Sequence, residues 1–218
     1  MKATYYLEVT SSWCFWFEPQ WAELKRRYAG RVEFDWQIAK MQPDDFPTSN
    51  LQYDWFLLRS STIMKSPMIA NSAYYEFPIP GGYPAASSVA LAARDLGFGG
   101  DDVRLALSSA AYRNGRKVGR IEVAVEVAAK VSGLDPVKLR ARAESPEVAA
   151  HMEQTTREYF SHQINQRPAF ILTDGIGDKA VFAGVMSITP LTATIDTMIA
   201  DTAAYADFAA QHGRPPSA

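Results

Sequence analysis

The sequence predicts an α/β fold in which a βαβ segment and an αββα segment form one small mixed sheet, with a large all-helical insertion between them. Three observations carry this. Residues 4–9 and 31–38 are strand-like on either side of one helical stretch. Residues 169–173 and 179–183 form a second strand-rich region ahead of a last helix. Between about 42 and 150 the pattern is helical, punctuated by Gly and Pro. The expected organisation is a discontinuous sheet domain over 1–41 and 151–212, a helical subdomain over 42–150, and a flexible tail over 213–218.

Thr4 to Val9 is short, rich in Tyr and Leu, and bounded by small polar residues, which predicts a buried strand. From Ser12 to Ala29, Phe17, Trp21, Leu24 and Tyr28 recur at helical spacing, and Gly30 is a stop. Pro19 inside that helix removes a backbone bond and is expected to bend the axis. Val32, Phe34, Trp36 and Ile38 alternate with polar residues, the signature of a strand over 31–38. Helices are expected over 51–64, 85–96, 101–112, 121–131 and 136–143, the second entered from a turn over 79–84. Asp135-Pro136 and Ser145-Pro146 each read as an N-cap followed by a first-turn proline, the latter opening a helix to about Gln163. Ala169 to Thr173 and Lys179 to Ala183 form a hairpin across the Asp174–Asp178 turn, and Thr189-Pro190 opens the last helix.

With 218 residues and 47% hydrophobic content the chain can bury a core without disulfides or metal. A net charge of -2 gives no electrostatic reason to expect nucleic acid or an acidic membrane as a partner. No run approaches the roughly 18 apolar residues of a membrane span. Met1-Lys2-Ala3 enters the first strand with no signal core, so the expected location is cytoplasmic. The three histidines are dispersed without ligand spacing, and no metal site is expected. The basic residues Arg113, Arg116, Lys117 and Arg120 read as a solvated loop, and the turn over 174–178 lacks the lysine and helix of a phosphate-binding loop.

The chemistry concentrates in Glu8-Val9-Thr10-Ser11-Ser12-Trp13-Cys14. Here the first strand gives way to the first helix, and the only cysteine stands three residues after a serine. A helix N-terminus presents unpaired N–H groups and the positive end of the macrodipole, which stabilise an anion. Thiols so placed can have a pKa of about 3.5 to 7.5. Ser11 is the expected N-cap, exposed at the tip, with Cys14 one turn behind on the same face. The plain alternatives are an ordinary cap for Ser11 and a buried small hydrophobe for Cys14. Trp13 is the aromatic residue expected in a cleft.

The stretch Glu8 to Pro19 resembles the active-site segment of the DsbA-like branch of the thioredoxin superfamily, in particular the bacterial protein-disulfide isomerase and FrnE-type proteins. Aligned without a gap, Ser11 falls on the nucleophilic cysteine, Cys14 on the resolving cysteine, Trp13 on the family tryptophan, and Glu8 on the family acidic residue. Arg167-Pro168-Ala169-Phe170-Ile171 resembles the family segment whose proline is cis and packs against the active site. Tyr83-Pro84-Ala85 and the stretch 132–135 resemble landmarks of its helical insertion. The resemblance implies a thioredoxin-like fold. It also implies a site built from Ser11, Cys14, Trp13, Arg167 and Pro168, with the backbone of Arg167 open to an added strand. The Arg167 guanidinium departs from the family pattern; it is expected either to hold a carboxylate or to lie in solvent.

A serine cannot form a mixed disulfide, so two-cysteine exchange within one chain is chemically closed. Three functions remain in view. One is a DsbA-family oxidoreductase-like protein with a degenerate Ser-Ser-Trp-Cys motif, acting at most through the single thiol of Cys14 on a small or protein thiol. A second is a glutathione-dependent isomerase or transferase acting on an aromatic small molecule, since kappa-class glutathione transferases and 2-hydroxychromene-2-carboxylate isomerases carry serine at the first position. Ser12 in place of their proline, and the apolar run Ala183 to Met186, depart from that pattern. The third is a non-catalytic binding module. No tightly bound cofactor is expected, glutathione would be a cosubstrate, and a homodimer is compatible with the sequence.

Overall fold

A computed structural model describes residues 1–213. The rest of the expected tail, 214–218, lies outside the described residues. Four strands, β1 (Lys2–Leu7), β2 (Glu33–Ile38), β3 (Ala169–Thr173) and β4 (Lys179–Ala183), form one mixed sheet in the order β2-β1-β3-β4. β1 runs parallel to β2 and antiparallel to β3, and β3 and β4 are an antiparallel hairpin. The parallel pair requires a crossover, and α1 (Ser12–Arg27) supplies it.

Side-chain alternation decides which face each residue covers. Tyr5 of β1 stacks on Phe170 of β3 with ring centroids 4.9 Å apart, and both meet Trp21 of α1. On the other face Tyr6 packs with Ala169, Ile171 and Tyr159, the last from α7 (Pro146–Ser161). α8 (Thr189–His212) is tied to α1 where the Tyr28 hydroxyl donates to Asp196 Oδ1 at 2.9 Å.

The insertion comprises α2 (Asn50–Ile63), α3 (Ala86–Asp95), α4 (Asp102–Tyr112), α5 (Ile121–Ser132) and α6 (Pro136–Ala143). Its apolar residues are continuous with the sheet: one cluster joins Tyr5, Trp21 and Phe170 to Leu91, Val125 and Leu139. Burying each such side chain contributes about 1.5–3 kcal/mol. α7 begins at Pro146, so the expected boundary near 150 falls inside a helix. α1 continues through Pro19 without interruption. Among the described residues two X–Pro peptides are cis, Phe77–Pro78 and Arg167–Pro168.

Among the described residues no helix is long and apolar enough to cross a membrane, and no group of three or more His, Cys, Asp or Glu could hold a metal ion.

Candidate active site

β1 ends at Leu7 and α1 begins at Ser12, and the intervening turn is held from both sides. Ser11 N–H donates to the Glu8 carbonyl at 3.0 Å. The Glu8 carboxylate, fully buried, accepts from the Thr10 hydroxyl, from Ser87 of α3 at 2.5 Å, and from the Tyr83 hydroxyl at 2.5 Å. The same Tyr83 oxygen accepts from Met41 N–H at 3.0 Å. Burial, and then the Glu8 carboxylate, push the Tyr83 phenol well above its ordinary value, so it remains a donor to Glu8.

Ser11 is extended (φ -92°, ψ 121°) and its Oγ accepts from Cys14 N–H at 3.5 Å, the outer limit of a cap. Among the described residues the N–H groups of Ser12 and Trp13 have no partner, as the first turn of a helix dictates. Ser11, Ser12 and Trp13 line a cleft of about 300 Å³. Met41, Asp44 and Pro47, from the segment after β2, line it too. Tyr53, Phe56 and Arg59 of α2 and the segment Asn165, Gln166 and Arg167 complete the lining. The cis peptide before Pro168 therefore adjoins the cleft that Ser11 lines. Ser11 is not exposed at the tip as the sequence predicts: it retains only 9% of its surface because the insertion folds over it.

Cys14 does not line this cleft. It is 2% exposed and borders a closed space of about 10 Å³ with Glu8, Glu18 and Arg104, on the core side of α1. Burial pushes its thiol up, against the lowering effect of hydrogen bonds from Glu8, Ser11 and Tyr5. The expected benefit of the helix end is thus outweighed by desolvation.

Trp13 is half-buried in the cleft wall, with the Arg59 guanidinium 5.8 Å from its ring centroid. Of the two orientations expected for Arg167, solvent is excluded, and a carboxylate is met at a single atom: Nη1 donates to Asp45 Oδ2 at 3.4 Å. Its side chain is 6% exposed, and its Nε donates to the Ala39 carbonyl at 2.6 Å while Nη2 donates to the Lys40 carbonyl. These carbonyls follow β2 where the ladder has ended, and the guanidinium satisfies them instead of solvent. Among the described residues the Arg167 backbone N–H and C=O carry no partner.

Sequence reasoning missed a tyrosine collar. Tyr112 donates to the Thr10 carbonyl at 2.5 Å, Tyr74 reaches the same oxygen at 3.4 Å, and Tyr53 bonds Tyr74. The three share no short spacing, so only the tertiary fold joins them. The buried acidic Glu8 was the single available signal that polar partners would gather here.

The family model described as DSBA-like thioredoxin domain matches residues 4–196. The chain belongs to that family. This DSBA-like chain resembles, in fold, a proposed protein disulfide isomerase from Nitrosomonas europaea at a TM-score of 0.70 and 14% identity, covering 97% of this chain and 98% of the other. The cytosolic disulfide reductase DsbM from Pseudomonas aeruginosa follows at 0.67 and 16%, covering 95% and 100%. 2-Hydroxychromene-2-carboxylate isomerase gives 0.65 and 12%, covering 94% and 99%. No curated protein sequence matches the chain.

Proposed function

We propose that this DSBA-like protein binds the thiolate of a small thiol, glutathione, at Ser11 and uses it as a glutathione-dependent isomerase or transferase on aromatic small molecules. The observation that carries this reading is the separation of the two motif residues: Ser11 is among the residues that line the cleft, whereas Cys14 is not and is buried behind it. A buried thiol with a raised pKa is a poor nucleophile. That weighs against a monothiol cycle through Cys14.

Ser11 Oγ accepts from the Cys14 N–H, and its hydroxyl proton, which otherwise serves the Cys14 sulfur, is donated to the bound thiolate instead. The N–H groups of Ser12 and Trp13 and the positive end of α1 favour the same charge. The unpaired backbone of Arg167 offers a donor and an acceptor to a peptide such as glutathione. Addition of the bound sulfur to an electron-poor carbon, followed by its expulsion, isomerises a double bond with no net redox change. Two relatives in fold support the assignment: DsbM has been solved with GSH, and 2-hydroxychromene-2-carboxylate isomerase is a neighbour. A cytoplasmic location, where glutathione maintains thiols reduced, accords with the proposal.

The test is thermal denaturation with and without reduced glutathione. The wild-type protein should be stabilised in proportion to ligand concentration, and Ser11→Ala should lose most of that shift. No shift in the wild type, or an equal shift in Ser11→Ala, removes the proposal in favour of a binding module without thiol chemistry.

A further inference from the structure

A second and larger cavity, about 710 Å³, lies beside the Ser11 cleft, and Met41 and Pro47 line both. Its walls are the segment after β2 and the loop before α3. They contribute Phe46, Tyr75, Phe77, Ile79 and Tyr83, set between the prolines Pro43, Pro47 and Pro78. The volume falls within the range of about 300–1,000 Å³ typical of small-molecule sites, and the apolar and aromatic lining fits the same class.

The polar groups of these walls are already engaged. The Tyr75 hydroxyl donates to the Pro47 carbonyl at 2.8 Å, and the Tyr83 hydroxyl to Glu8 at 2.5 Å. Both hydroxyl protons are therefore already donated within the protein. Lys40 and Glu153, the charged side chains on the lining, pair with each other at 2.5 Å. The Thr156 hydroxyl bonds the Met152 carbonyl at 2.6 Å. A charged ligand would find no free counter-charge here and would lose its hydration; a neutral ring system would lose little and gain aromatic contact.

We propose that this cavity holds the second substrate, an uncharged small molecule of one or two aromatic rings, with its reacting carbon directed past Met41 and Pro47 toward the thiol at Ser11. The placement rests on the thiol-binding reading of Ser11, but occupancy of the cavity does not depend on that side chain. The segments 40–48 and 75–83 thereby set specificity, while the α1 terminus holds the thiol.

The experiment measures binding of 2-naphthol by titration calorimetry to the full-length protein, to Ile79→Trp, which fills the cavity, and to Phe77→Ser, which removes an exposed part of its wall. Leu58→Ser, on the exposed face of α2, is the control. Ile79→Trp and Phe77→Ser should each bind about tenfold or more weakly, with Leu58→Ser and Ser11→Ala unchanged. If Ile79→Trp does not fold, Phe77→Ser alone decides. Absence of binding to the wild type, equal binding by the cavity variants, or loss in Leu58→Ser overturns the assignment. Unchanged naphthol binding in Ser11→Ala, together with no glutathione stabilisation of the wild type, would overturn the thiol reading alone.

Discussion

The Tyr112 hydroxyl donates to the carbonyl oxygen of Thr10 at 2.5 Å, so the end of α4 grips the backbone from which Ser11 is suspended. The insertion and the first helix are thereby coupled at one peptide unit. Tyr74 supports the same oxygen at 3.4 Å, a longer and weaker contact. Tyr112→Phe should cost about 1 kcal/mol in urea denaturation, a typical value for one buried hydrogen bond. It should also weaken glutathione stabilisation, because the Thr10–Ser11 turn loses its anchor. Tyr74→Phe should cost less on both measures; the reverse order would show that Tyr74 is the principal support.

Cys14 should be chemically silent in the native protein. Its 2% exposure and raised pKa predict negligible alkylation by iodoacetamide at neutral pH, with full reaction once denaturant is added. Rapid modification of the folded protein would return the single-thiol cycle to consideration. Cys14→Ala should leave glutathione stabilisation intact.

A staple between sheet and insertion carries the clearest pH dependence. Arg94 of α3 donates to Asp35 Oδ1 at 2.7 Å and to the Trp36 carbonyl at 2.5 Å. Burial raises the Asp35 carboxyl, but Arg94 and Lys2, helped by Gln37, outweigh it and hold the group below its usual range. An acid depressed on folding contributes stability above its unfolded pKa, about 3.9, and loses it as pH falls through the folded value. Arg94→Met should therefore be about 1–3 kcal/mol less stable at neutral pH. The gap to wild type should narrow as the pH drops below about 4. A gap constant across that window would mean that Arg94 acts through packing alone.

Ser11→Cys restores the sulfur that the motif lacks. The new thiol, three residues before Cys14 on one helix face, should oxidise with it and give insulin-reducing activity that the wild type lacks. Two free thiols persisting under mild oxidation would mean that the α1 terminus has departed from the geometry of its relatives.

Most of the architecture was legible because its signals are local. The caps Asp135-Pro136 and Ser145-Pro146 place the starts of α6 and α7 where the structure has them, since a side-chain acceptor and a fixed φ act within one turn. The alternation through Phe34, Trp36 and Ile38 identified β2, although its start moves to Glu33 because Val32 N–H turns back to the Tyr28 carbonyl. The first strand ends at Leu7 and not at Val9, because Glu8 and Val9 bond to Ser11 and Ser87 instead of to a neighbouring strand.

The candidate site was legible only in its linear part. Ser11, Trp13 and Cys14 could be named from one segment, but the accessibility that separates Ser11 from Cys14 depends on how the insertion packs. Arg167 was assigned no fixed place, because a long side chain takes its direction from unpaired carbonyls elsewhere in the chain, here those of Ala39 and Lys40. The collar of Tyr53, Tyr74 and Tyr112 and the cavity between residues 40–48 and 75–83 arise from contacts that no sequence period encodes.

The most direct measurement is an ultraviolet titration of the glutathione thiolate in the presence of the protein. If Ser11 and the α1 terminus hold that sulfur as an anion, its pKa should fall by about one unit or more on binding to the wild type. It should return most of the way toward the free value with Ser11→Ala. A bound thiol that ionises at the same pH as free glutathione would contradict the account.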